Sequence, residues 1–120
     1  MELVATIPHR NLSYLEARLG DTIQEGSISP QVYTNDAFRI RYRLCAVNTS
    51  HINDGSLALY VDCNYDGLQG LNNGWSQEQR LNLWFDRRGE FYQWLLGLIQ
   101  ESGGTILSRG TYNLDGRSPI

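Results

Sequence analysis

Lysine is missing from this chain. All ten cations are arginine, set against thirteen acidic residues, which leaves a net charge of −3 and a pI near 5.2. An acidic balance of this kind lacks the cationic surface that generic binding to a nucleic-acid backbone needs. Arginine-only usage has a simple account, compositional bias, and a functional one, the planar two-pronged contacts that guanidinium makes with carboxylate or phosphate. Cysteine is scarce as well. Cys45 and Cys63 are too few for a disulfide framework and are not spaced as metal ligands. No stretch approaches the ~20 apolar residues of a membrane span, and MELVATIPHR has neither a basic start nor the apolar core of a secretory signal. The expectation is a soluble, cytoplasmic protein without membrane contact. With no repeat or low-complexity run, residues 1–120 suit one domain long enough for a core of its own.

What is present is organised around two alternating segments, FRIRYRLCAV from Phe38 and LALYVDCNY from Leu57. In the first, Phe38, Ile40, Tyr42, Leu44 and Ala46 share one side, and Arg39, Arg41, Arg43, Cys45 and Val47 the other. In the second, Leu57, Leu59, Val61, Cys63 and Tyr65 oppose Ala58, Tyr60, Asp62 and Asn64. This period of two marks strands with one buried face. A one-residue slip would turn every side chain of one strand to the wrong face, so even-numbered residues of the first must pair with odd-numbered residues of the second. Leu44 then lies near Leu59 or Val61, Arg41 or Arg43 faces Asp62, and Cys45 and Cys63 point to opposite faces, too far apart in direction for a disulfide.

Around this hairpin, Glu2–Ile7 reads as a short strand ended by Pro8. Asn11 is placed as the N-cap of a helix from Leu12 to 19–24, with Leu12, Leu15, Leu19 and Ile23 at helical spacing. QEGSISPQ reads as a connector, and Val32–Thr34 as the approach to the first hairpin strand, with a bulge or turn at Asn35-Asp36. Ser76 with Gln79 is a capping box opening a long helix from Gln77 to about Glu101, whose apolar stripe is Leu81, Trp84, Phe85, Phe91, Tyr92, Leu95, Leu98 and Ile99. At 1.5 Å per residue it is roughly 37 Å long, against a diameter of about 35 Å for a compact domain of this size. It therefore spans the domain or overhangs it. Arg88 falls inside the stripe and must snorkel outward or meet a carboxylate. Gly103-Gly104 stops the helix, and residues 105–114 read as a last strand.

The order strand, helix, strand, strand, helix, strand predicts an α+β fold: a ferredoxin-like split β-α-β sandwich, with a four-stranded antiparallel sheet and both helices on one face. The alternative is an antiparallel β-meander or half-barrel packed on one long C-terminal helix. The opposite face, bearing Arg39, Arg41, Arg43, Tyr60, Asp62 and Asn64, would be open.

Three places could carry chemistry. The arginine row beside Tyr60 offers anion-pairing forks and a stacking ring, although the Tyr60 strand lacks the glycine and aromatics of an RNA-recognition motif, and a solvated face with internal ion pairs explains it more simply. Asp62, Asn64 and Asp66, followed by Gly67, match the first half of a calcium loop, but the twelfth position is Asn73 where a bidentate glutamate belongs. His9, Arg10 and His51 would meet at one rim of the sheet, a pair of histidines able to do acid–base work on a phosphodiester, yet without the H-x-T/S motifs of the 2H phosphoesterases or an adjacent nucleophile. Leu83 and Trp94 lie off the helix stripe, either loop-covered or exposed to a partner. The reading that follows is a non-enzymatic regulatory or protein-binding module, such as a complex subunit, regulator or phage-type inhibitor, that contacts another protein or itself and needs no cofactor. Its alternatives are a nucleotide or single-stranded RNA binder using Arg39, Arg41 and Arg43, and a phosphodiester-cleaving enzyme using His9 and His51.

Overall fold

A computed structural model describes residues 1–26, 32–48, 55–64 and 74–108. Along the chain run β1 (Glu2–Pro8), a single 3-10 turn (His9–Asn11), α1 (Leu12–Leu19), β2 (Gln24–Glu25), β3 (Val32–Asn35), β4 (Ile40–Val47), β5 (Ser56–Asn64), α2 (Gln77–Glu101) and β6 (Thr105–Ile106). The fold is α+β, with the six strands in one open, mixed sheet.

The β4–β5 pair forms the register that side-chain parity demands. Leu44 lies opposite Val61, Arg43 opposite Asp62, and Cys45 opposite Tyr60. Ile40, Tyr42, Leu44 and Ala46 join Leu57, Leu59 and Val61 in one core with Leu12, Leu15 and Leu19 of α1 and Phe91, Leu95 and Ile99 of α2. Both cysteines are free thiols.

The sheet itself is larger than expected. In place of four antiparallel strands the described residues hold six, in the order β2-β4-β5-β1-β6, with β3 also paired to β4. The outer edge of β4 is shared. Its first half pairs antiparallel with β3, Val32 opposite Arg43 and Asn35 opposite Ile40, and its second half pairs parallel with β2 at Gln24–Cys45 and Glu25–Ala46. β2 escapes a reading of periodicity because two residues have none; backbone bonding makes it a strand, continued by Gly26 N–H donating to Ala46 O at 2.9 Å. The β3–β4 turn also moves the start of the hairpin strand from Phe38 to Ile40. Asn35 Oδ1 accepts the Phe38 N–H at 3.1 Å, and Arg39 takes a left-handed backbone, φ 55°. Asn and Asp side chains stabilise such turns by this local bonding. In β1, a bulge at Val4 lets Leu3 pair with Tyr60 but Ala5 with Leu59. The extra residue breaks the alternation of faces usual in a strand, so Val4 and Ala5 are both buried. β6 covers Thr105–Ile106; residues 109–114 of the expected last strand lie outside the described residues.

Asn11 occupies the cap position of α1 without capping it. Its Nδ2 donates instead to Ser102 O beyond the far end of α2, at 2.9 Å, and Arg18 adds an ion pair to Glu101 at 2.8 Å. Gly20, φ 90°, closes α1. The box opening α2 is complete: Gln79 N–H donates to Ser76 Oγ at 3.1 Å and Ser76 N–H to Gln79 Oε1 at 2.8 Å. The helix continues unbroken through a buried Gly89 for 25 residues.

Candidate functional site

The arginine row does not assemble. Arg39 belongs to the β3–β4 turn, where its positive φ takes it out of the strand. Arg43 grips Asp62 with two prongs, Nε to Oδ1 at 2.8 Å and Nη2 to Oδ2. This carboxylate raises the Arg43 pKa further, through the hydrogen bond and through charge. Arg41 is exposed opposite Asn64, and Tyr60 is half-buried beside Cys45. The face is not open throughout either, because Cys45 and Ala58 on it are fully covered. Burial raises the Cys45 thiol pKa.

Of the side chains of the calcium loop, that of Asp62 is committed to another contact. Asp62 is held by Arg43, Asn64 O accepts Trp84 Nε1–H at 3.3 Å, and Asp66 lies outside the described residues. Among the described residues no three of His, Cys, Asp and Glu gather to hold a cation. Of the histidine rim, His9 is exposed and its Nε2 lies 3.1 Å from Glu25 Oε1 of β2, Arg10 is exposed, and His51 lies outside the described residues. The backbone of His9 ties it to the hairpin, N–H to Gly55 O at 2.9 Å.

The long helix is where the geometry departs most from a closed core. Its buried positions begin at Trp84, and no side chain of residues 77–83 is buried. Leu81, in phase with the core stripe, is 38% exposed, and Trp75, just before the cap, is 39% exposed. Leu83 and Phe85 are half-buried against the edge of the core. Trp94 is covered from one side by the β3–β4 turn, its ring 5.4 Å from that of Phe38 and 6.0 Å from Phe91. Sequence periodicity assigned Leu81 to the core because phase alone does not say where a sheet ends. The signal that points to its exposure is the helix length.

Arg88 does not snorkel outward. It is 3% exposed, and its guanidinium carbon sits 4.6 Å from the ring centre of Trp84 and 4.8 Å from that of Phe85. Aromatic faces attract a cation electrostatically, and more strongly when water is excluded. Beside it, Cys63 and Tyr92 meet at the end of β5. Burial pushes the Cys63 thiol up to about 12, although Arg88 and a hydrogen bond from Tyr92 pull the other way; burial likewise raises Tyr92. No helix among the described residues is long and apolar enough to cross a membrane. Set against known protein families, curated proteins and solved structures, the chain gives no significant match to any of them.

Proposed function

We propose that this protein is a non-enzymatic binding module that engages a protein partner, another chain or a second copy of itself, through the start of α2. The observation that carries the reading is the exposure of Trp75, just before the cap, and of Leu81, on opening turns of α2 where no side chain is fully buried. Large aromatic and aliphatic side chains held on a rigid helix lose little entropy when covered and dominate the energy of many interfaces. Leu83 is half-buried against the core edge, on another side of the helix from Leu81, and Trp94 supports the helix from the side of the β3–β4 turn. The rival readings lose support from the geometry: Arg43 is spent on Asp62, and His9 lies in an exposed pair with Glu25. The strand order β4-β5-β1-β6, with α1 and α2 on one core, supports a ferredoxin-like split β-α-β centre to which β2 and β3 are additions. Two free thiols support a cytoplasmic setting.

The test uses Leu81→Asp and Trp75→Ala in the whole chain. Sedimentation over a wide concentration range reads self-association, and capture beside the wild type reads a foreign partner. Loss of the complex in both variants, with unchanged circular dichroism, is the expected result. A complex retained by both variants, or a wild type that neither self-associates nor retains any partner, rejects the reading.

A further inference from the structure

The start of the chain, the end of β5 and the middle of α2 enclose a cavity of about 280 Å³. The residues lining it divide by exposure. Val61, Trp84, Arg88 and Tyr92, none more than 7% exposed, form its floor, and the half-buried Met1, Glu2, Asp62 and Cys63 form its rim. Small-molecule sites are concave, with mainly apolar and aromatic walls, and commonly measure from about 300 Å³ upward. An apolar cavity of about 150 Å³ already takes a benzene ring. The space here therefore suits a compound of one ring or two fused rings.

Charge narrows the class. Two cations, the Met1 ammonium and Arg88, and two carboxylates, Glu2 and Asp62, line the cavity, so its own charges cancel. They are also engaged within the protein. Asp62 is gripped by Arg43, Arg88 lies against the rings of Trp84 and Phe85, and Glu2 and Arg88 each keep a further partner. The Cys63 thiol and the Tyr92 hydroxyl share a hydrogen bond. An anion would meet the two carboxylates and a cation the ammonium and the guanidinium. A ligand of either sign would also leave the cavity with a net charge, which is costly away from water. A neutral ring brings no such cost, and it gains offset or edge-on packing against Trp84 and Tyr92.

From this we infer that the cavity binds a small uncharged aromatic compound, of one ring or two fused rings, packed against Trp84 and Tyr92. The site is separate from the Trp75–Leu81 surface, and neither proposal depends on the other.

The experiment is a titration of the isotope-labelled whole chain with indole, followed by nuclear magnetic resonance. Saturable shifts are expected at the Trp84 indole N–H and the backbone amides of residues 61–63, 88 and 92. Nuclear Overhauser contacts should run from the probe to the Val61 methyl groups and the Tyr92 ring. Benzyl alcohol, benzoate and benzylammonium, similar in size, then separate charge from shape. The alcohol should bind about tenfold or more tightly than either ion, since burying an unmatched charge costs at least that much. Cys63→Met adds bulk at the rim and should weaken indole binding. Should that variant not fold, the probe contacts and the charge series decide on the wild type alone. No saturable shift with indole overturns the inference, as do contacts confined to another surface such as Trp75 and Leu81. An ion that binds as tightly as the alcohol, or a folded Cys63→Met protein that binds indole as the wild type does, overturns it too.

Discussion

Gly104 and Gly97 show how differently one residue type can be used. A Cβ on Gly104 would stand 2.5 Å from Ile99 Cγ2 and 2.9 Å from the carbonyl oxygens of Ile99 and Thr6, whereas Gly97 has open space around its missing Cβ. Gly104→Ala should therefore destabilise the protein by about 1–3 kcal/mol, the usual cost of forcing an extra carbon into packed structure. Gly97→Ala should be neutral or stabilising by up to about 1 kcal/mol, because alanine is the better helix former. Urea unfolding of the two variants beside the wild type checks both signs. At this scale the sequence was only partly legible. Strand parity placed Arg41 or Arg43 opposite Asp62, since their positions fix the faces they share, and the register selects Arg43. Arg39 could not be placed the same way, because its left-handed backbone depends on the Asn35 side chain bonding three residues on. Arg88 was read as a misfit on the stripe; the rings that hold it are on its own helix but needed their conformations to be recognised.

Among the elements, α2 was the most legible, since a capping box and a glycine stop bracket a long periodic stripe. What its sequence left out was the extent of the surface beneath it. The cap and the uncovered turns act together here. Ser76→Ala removes one of the reciprocal bonds and normally costs about 0.5–2 kcal/mol. Because residues 77–83 bury no side chain, the loss should fall on local fraying more than on global unfolding. Amide exchange is expected to accelerate over 77–83 and to stay unchanged over 91–99. Equal acceleration along the whole helix would refute this division. The short strands were the least legible. β2 and β3 gain their identity from the backbone edge that β4 offers them, and β1 carries a bulge at Val4 that no alternation of its own sequence announces. The cavity was not legible at all, because residues from β1, β5 and α2 meet there only after folding.

For the molecule as a whole, the buried hydroxyl and thiol groups set a limit on the alkaline side. Tyr42 is fully buried with its hydroxyl donating to Asp21 Oδ2 at 2.6 Å, and burial is the first cause of its raised pKa, the Asp21 carboxylate the second. Tyr92 is raised by burial, and Cys63 is pushed from an ordinary 9.0 to about 12. In each case the unfolded chain gives up its proton at lower pH than the folded one. The stabilising contribution of Cys63 is thus fully present below pH 9, falls as the unfolded thiol ionises, and is gone above about 12. Tyr42 and Tyr92 add to the same slope from their ordinary value of 10.0 upward. The urea midpoint should drop between pH 8 and pH 11, about the window in which these groups ionise in the unfolded chain; a flat profile would contradict the raised pKa of all three. The topology also dictates an order of events during synthesis. β1 lies between β5 and β6, so among the described strands the one made first is the one whose neighbours are made last. One edge of β1 stays bare until Ser56–Asn64 has been made and the other until Thr105–Ile106, so the nascent chain completes this sheet only after α2 has been translated.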